Sequence, residues 1–122
     1  MGIAKSFKDR GVDSKVIALE PSSSPILSKG IKGAHNVEGV GLGFIPAIYN
    51  SEYVDDVISI EESLARQTCK ELASREGIFC GTSTGMNVAG AIKLSKSLGP
   101  KSKVVAVACD TGLKYLSEGL FY

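Results

Sequence analysis

The chain has 122 residues, 43% of them hydrophobic, with 14 Lys and Arg against 13 Asp and Glu for a net charge of +1. That length bounds it to one domain with a modest core, and the balanced charge gives no electrostatic case for nucleic acid or an acidic membrane. No run is long or apolar enough to span a bilayer, and Met1-Gly2-Ile3-Ala4-Lys5 leads into charged residues rather than a signal peptide.

The spacing of Ile3 and Phe7 predicts a helix ending near Arg10, with Gly11 as its C-terminal cap. Val16-Ile17-Ala18-Leu19 reads as a buried strand stopped by Glu20-Pro21. A strand that is apolar at every residue belongs to a sheet covered on both faces. Residues 22–46 form a long Ser- and Gly-rich region, with a helical turn expected around Ser24-Pro25-Ile26-Leu27. Within it, Gly39-Val40-Gly41-Leu42-Gly43-Phe44-Ile45-Pro46 alternates glycine with apolar residues. Such a backbone is one that something approaches closely, and a loop this long in a compact domain is usually functional. The lone His35 has no metal-spaced partner and reads as a structural loop residue.

Val57-Ile58-Ser59-Ile60 is a second strand, and Ser59 with Glu62 forms a capping-box signature. Leu64, Thr68 and Leu72, flanked by Ala65 and Cys69, make one helical face. Glu62 with Arg66 and Glu71 with Arg75 are surface pairs at four-residue spacing. Gly77 ends that helix, and Ile78-Phe79-Cys80 is expected to be a third strand. The next helix is expected to carry Val88, Ile92 and Leu94 toward a core, up to Gly99-Pro100. Val104-Val105-Ala106-Val107-Ala108 reads as a fourth strand, followed by a turn at Asp110-Thr111-Gly112 and a short helix from Leu113. The alternation predicts an α/β fold, a mainly parallel sheet with flanking helices.

The chemistry concentrates where strand meets helix, at Gly81-Thr82-Ser83-Thr84-Gly85. A glycine-bracketed turn of hydroxyls at a helix start can present N–H and O–H groups to a ligand. The same residues also suit a plain capped helix start, with Ser or Thr satisfying orphan N–H groups. Cys69, Cys80 and Cys109 are far apart and odd in number, which favours small buried apolar residues in a reducing cytoplasm over a disulfide or zinc scaffold. No metal ligand set is expected.

Four separated segments, in order, carry a resemblance: Val16-Ile-Ala-Leu-Glu-Pro, Gly39-Val-Gly-Leu-Gly-Phe-Ile-Pro, Gly77-Ile-Phe-Cys-Gly-Thr-Ser-Thr-Gly and Asp110-Thr-Gly-Leu-Lys-Tyr-Leu-Ser. Together they resemble the C-terminal third of the cysteine synthase and cystathionine β-synthase family. These are fold-type II pyridoxal-phosphate enzymes, related to the tryptophan synthase β chain. The resemblance covers essentially the whole chain, residues 1–122, and implies a C-terminal part of a β-replacement enzyme. It implies pyridoxal 5'-phosphate as cofactor and an O-acetylserine-type amino acid as substrate. Cysteine would form with sulfide by β-elimination and addition through an aminoacrylate, in a cytoplasmic homodimer.

Residue by residue, the resemblance places the Ser83 hydroxyl on the pyridine nitrogen of the cofactor, with Gly81 and Thr82 beside it. Gly39, Val40 and Gly41 would face the substrate, and 110–112 would lie near the pyridine end. No catalytic residue is expected within the chain. The Schiff-base lysine, the N-terminal domain and the Gly-Thr-Gly-Gly-Thr phosphate loop would lie upstream, with Met1 an internal residue of a longer protein. This chain alone is therefore expected to be inactive. Ser6-Phe7-Lys8-Asp9-Arg10 matches the pattern around that lysine, but the strand at 16–19 follows too soon, so Lys8 reads as a solvated helix residue.

Two alternatives stand beside this. One is cystathionine β-synthase or another β-replacement enzyme using the same half-reaction. The other is a nucleotide- or metabolite-binding regulatory α/β domain, in which Glu20 at the strand end would hold a ribose hydroxyl. Against that second alternative, no G-x-G-x-x-G precedes the strand.

Overall fold

The computed structural model describes residues 1–122. Its elements are α1 (Gly2–Asp9), β1 (Ile17–Pro21), α2 (Ile26–Lys29), a 3₁₀ turn (Ser51–Tyr53), β2 (Asp56–Ile60), α3 (Glu62–Glu71), α4 (Thr82–Ser97) and a 3₁₀ helix (Gly112–Glu118). α3 runs on through a π-type turn, Leu72–Glu76, that Gly77 closes at φ +68°. β1 and β2 pair in parallel, from Ile17 opposite Asp56 to Pro21 opposite Ile60. The fold is thus α/β around a parallel ladder.

Helix α4 lies against both strands and against α3. Its inward face is made by small residues. A Cβ on Gly85 would run into the Ala65 carbonyl and the Cys69 sulfur, and one on Gly90 into the Leu19 side chain. Val37, Ile60, Ala65, Met86 and Ala89 form one buried cluster, with Leu19, Val40 and Ile58 packed on it. Cys69, Cys80, Tyr115 and Leu120 form another.

Several expectations need correction. The segments 78–80 and 104–108 are extended, but neither joins a ladder; the former has one antiparallel bridge, Cys80 to Thr111. A strand needs a neighbour for its N–H and C=O groups, and none runs beside 104–108, so Val105 is 90% exposed. On α4 the buried hydrophobic residues are Met86 and Ala89, while Ile92 faces outward. Leu64 is likewise exposed on α3, where Ala65, Thr68 and Cys69 face in. The Ser59–Glu62 capping box does not form: Glu62 takes the Asn36 amide at 2.8 Å and pairs with Arg66 at 3.0 Å. Gln67, rather than Arg75, binds Glu71.

Glu20 is the clearest departure. Its carboxylate is buried and accepts from the Leu27 amide at 2.7 Å and from the Ser28 and Ser59 hydroxyls. A carboxylate that is only 3% exposed and already supplied with three internal donors is not presented to a ribose hydroxyl. It ties β1 to β2 and holds the start of α2.

Candidate functional site

Three glycine turns that are far apart in sequence meet at the N-terminus of α4. The second, 81–85, is the N-terminus itself. Gly81 is the extended N-cap, and no side chain caps the helix. Its carbonyl accepts the Gly85 amide and the Cys69 thiol, both at 3.1 Å, so α3 grips the turn from behind.

The three hydroxyls of this turn have different fates. Thr84 Oγ1 accepts the Cys109 amide at 2.9 Å. Thr82 Oγ1 is buried with no hydrogen-bond partner. Ser83, 7% exposed, makes no side-chain hydrogen bond within the chain. None of them caps the helix, so the capped-start reading does not describe this turn.

The third turn, 110–112, is locked alongside. Besides the Cys80–Thr111 bridge, the Gly112 amide donates to the Phe79 carbonyl at 3.1 Å. Asp110 Oδ2 accepts the Tyr115 hydroxyl at 2.7 Å, whereas Asp110 Oδ1 is buried and unpartnered. Gly81 leaves room for this carboxylate, since a Cβ there would collide with Asp110 and the Tyr115 ring. Burial, reinforced by the bond to Asp110, pushes the Tyr115 phenol far above its ordinary pKa. Burial likewise pushes the Cys69 thiol up to about 12, with Cys80 adding to it. Neither group ionises near neutrality. Cys109, expected to be buried, is exposed at the edge of this turn.

The first turn, 39–41, reaches the same helix through Val40. Val37 and Val40 pack on the cluster that contains Met86, three residues beyond Ser83. Glu38 reaches the 3₁₀ helix through an ion pair with Lys114 at 2.5 Å, which raises the Lys114 pKa. Gly39, Gly41 and Gly43 all have positive φ. The side chains approaching this backbone are the chain's own, His35 at Gly41 and Lys32 at Gly43, while the Cβ direction of Gly39 opens on free space.

Lys8 takes no part in this arrangement. It is exposed on α1, with its ammonium 5.0 Å from the Tyr53 ring centre. No three His, Cys, Asp or Glu side chains are placed to hold a metal ion, and no helix is long and apolar enough to cross a membrane. Sequence reasoning singled out Ser83, Gly81, Thr82 and 39–41, which the fold gathers. It missed Thr84, Asp110 and Tyr115 as supports. The one available signal was Tyr115 five residues after Asp110, across a turn and a short helix.

The site's donor set can be tested against an aromatic nitrogen heterocycle. An unpaired neutral hydroxyl at a helix start can donate to a ring nitrogen of such a group. These residues fit the ring edge of pyridoxal phosphate.

Comparison with known proteins identifies the family. The family described as "Pyridoxal-phosphate dependent enzyme" matches residues 1–110. The chain is 39% identical over 120 residues to cysteine synthase B of Campylobacter jejuni, covering 98% of this chain and 40% of that one. A cysteine synthase structure from Entamoeba histolytica superposes with a TM-score of 0.91 at 33% identity, over 98% of this chain and 36% of the other. An O-acetylserine dependent cystathionine β-synthase from Helicobacter pylori gives 0.89 at 30% identity, over 99% and 39%. The chain spans about 40% of the length of the curated relatives it matches.

Proposed function

The chain belongs to the pyridoxal-phosphate dependent enzyme family, and from that premise we propose that it is the C-terminal, ring-binding part of a cysteine synthase-like enzyme. The observation that carries this reading is the free Ser83 hydroxyl at the uncapped start of α4, where the three glycine turns converge. In this reading Ser83 meets the pyridine nitrogen, with Gly81 and Thr82 beside it. Gly39, Val40 and Gly41 face an amino-acid substrate. The bound cofactor supplies an electron-withdrawing ring for β-elimination from an O-acetylserine-type amino acid and addition of sulfide.

The chain's own residues bind and orient. A neutral hydroxyl partner need not hold the ring nitrogen protonated, as a carboxylate would, and so tempers the electron demand of the ring. Thr84 and the Cys109 amide keep the turn and the 110–112 segment together. Tyr115 holds Asp110 against Gly81. In this reading the covalent lysine and the phosphate loop belong to the remaining length that the relatives have. A cytoplasmic homodimer is part of the same proposal.

The isolated chain is expected to form no cysteine from O-acetylserine and sulfide, and borohydride trapping with pyridoxal phosphate is expected to leave Lys8 unlabelled. Measurable turnover, or stoichiometric label on Lys8, overturns the partial-enzyme reading. Substituting this chain for the matching segment of the Campylobacter jejuni enzyme should give a yellow, active hybrid. In that hybrid Ser83→Ala should alter the cofactor absorbance. The likeness to the Helicobacter pylori enzyme supports a second reading, cystathionine formation, which homocysteine offered in place of sulfide distinguishes.

A further inference from the structure

We infer that His35 is a positioning residue whose imidazole, bound between Val37 and Gly41, sets the shape of the 39–41 loop. The Val37 amide donates to His35 Nδ1 at 3.3 Å, and His35 Nε2 lies 2.8 Å from the Gly41 carbonyl. An amide can donate only to an unprotonated ring nitrogen. Nδ1 is therefore the acceptor, and the neutral ring carries its proton on Nε2, where it donates to Gly41. Both ring nitrogens are used, one on each side of the loop.

Sterics point the same way. Gly41 sits at φ +57°, and a Cβ there would run into the imidazole. The ring thus fills the space that a side chain at Gly41 would have taken. Val37 is 2% exposed and anchored in the main core cluster, so His35 ties the far side of the loop to a fixed point. Two more contacts bracket the loop, the Asn36 amide on Glu62 and the Glu38–Lys114 ion pair. With Gly41 occupied by the ring, Gly39 at φ +75° is the position left facing open space.

The functional meaning rests on the proposal that 39–41 faces the substrate, while the bonds themselves do not. His35 is the only histidine in the chain, so its ring signals need no assignment by mutation. In the ¹⁵N-labelled chain, a directly observed Nε2–H resonance with Nδ1 unprotonated is expected, because a bonded proton exchanges slowly with water. A protonated Nδ1, or no observable ring N–H, overturns the inference, and this holds even where a substituted chain does not fold.

The variants separate the two bonds. His35→Asn keeps an acceptor near the Nδ1 position and should retain protection of the Val37 amide while shifting Gly41. His35→Gln keeps a donor near the Nε2 position and should retain the Gly41 shift. With His35→Ala, the Val37 amide should exchange about five- to tenfold faster, as loss of one hydrogen bond implies. The Asp55 amide, bonded to the Val16 carbonyl, should not change. Equal acceleration at Asp55, or all three variants behaving alike, shows a merely structural role and overturns the inference. The substrate-facing reading fails separately, if O-acetylserine leaves the Gly39 amide of the active hybrid unmoved while the ring signature stands.

Discussion

The Cys109 amide donates to the Thr84 hydroxyl at 2.9 Å. Through this bond the segment leading into 110–112 is held by the first turn of α4, across 25 residues of sequence. The extended stretch 104–108 has no ladder to hold it, so this contact and the Asn87 side chain on the Val107 carbonyl at 2.9 Å keep it against the helix.

Thr84→Val removes the acceptor and leaves a part-buried amide unpaired. The expected loss is about 1–2 kcal/mol in urea unfolding, whereas Thr84→Ser, which keeps the oxygen, should stay within about 0.5 kcal/mol. A loss in Thr84→Ser with none in Thr84→Val, which keeps a methyl in place, would show that the methyl group, not the bond, matters.

Gly85→Ala should destabilise by about 1–3 kcal/mol, because its Cβ meets the backbone carbonyl of Ala65, which cannot swing away. Gly99 has free space around it and no positive φ. Gly99→Ala should therefore be neutral or slightly stabilising, by up to about 1 kcal/mol. Thermal unfolding of the pair checks the contrast.

Glu20→Gln puts an amide NH₂ against one of the donors that now meet the carboxylate. A loss of about 1–3 kcal/mol is expected in denaturant unfolding. Calorimetry with NAD should register no binding to the unsubstituted chain, since this carboxylate is engaged inside the fold.

Alkaline pH should weaken the fold. Burial raises the pKa of Cys69 to about 12 and also raises those of Cys80 and Tyr115. Above about pH 8.5 the unfolded chain loses thiol protons that the folded chain keeps, so the folded state binds more protons and stability falls as pH rises. The decline should run from about pH 9 toward 12, and Cys69→Ala should make its slope shallower. Unfolding free energies measured at several pH values between 8 and 11 test the sign.

Thiol labelling should divide the cysteines. Cys109 is exposed while Cys69 and Cys80 are buried. Iodoacetamide should modify Cys109 first, and the other two only after denaturation. Mass spectrometry of the early product identifies the site, and early label on Cys69 would contradict the packing behind the 81–85 turn.

The sequence by itself determined the elements whose signals are local. β1, β2, α3 and α4 were legible because apolar runs, helical spacing and glycine stops act within a few residues. Ser83, Gly81 and 39–41 stood out as candidates through glycine spacing and the four segments in order. Tertiary structure alone decided which of these signals found partners. Residues 78–80 and 104–108 look like strands, yet a ladder is a relation between two segments and only β1 and β2 complete one. Glu62 was positioned to cap its own helix, but the distant Asn36 amide takes its carboxylate, and burial by Ser28 and Ser59 turned Glu20 from a candidate ligand into an internal tie. Cys109 was equally undecidable from its neighbours in sequence, and His35 read as a structural loop residue without either of its bonding partners being visible. Hydrophobic period and backbone freedom belong to single residues and short windows, whereas hydrogen-bond partners are chosen among groups that only chain closure brings within 3 Å or so.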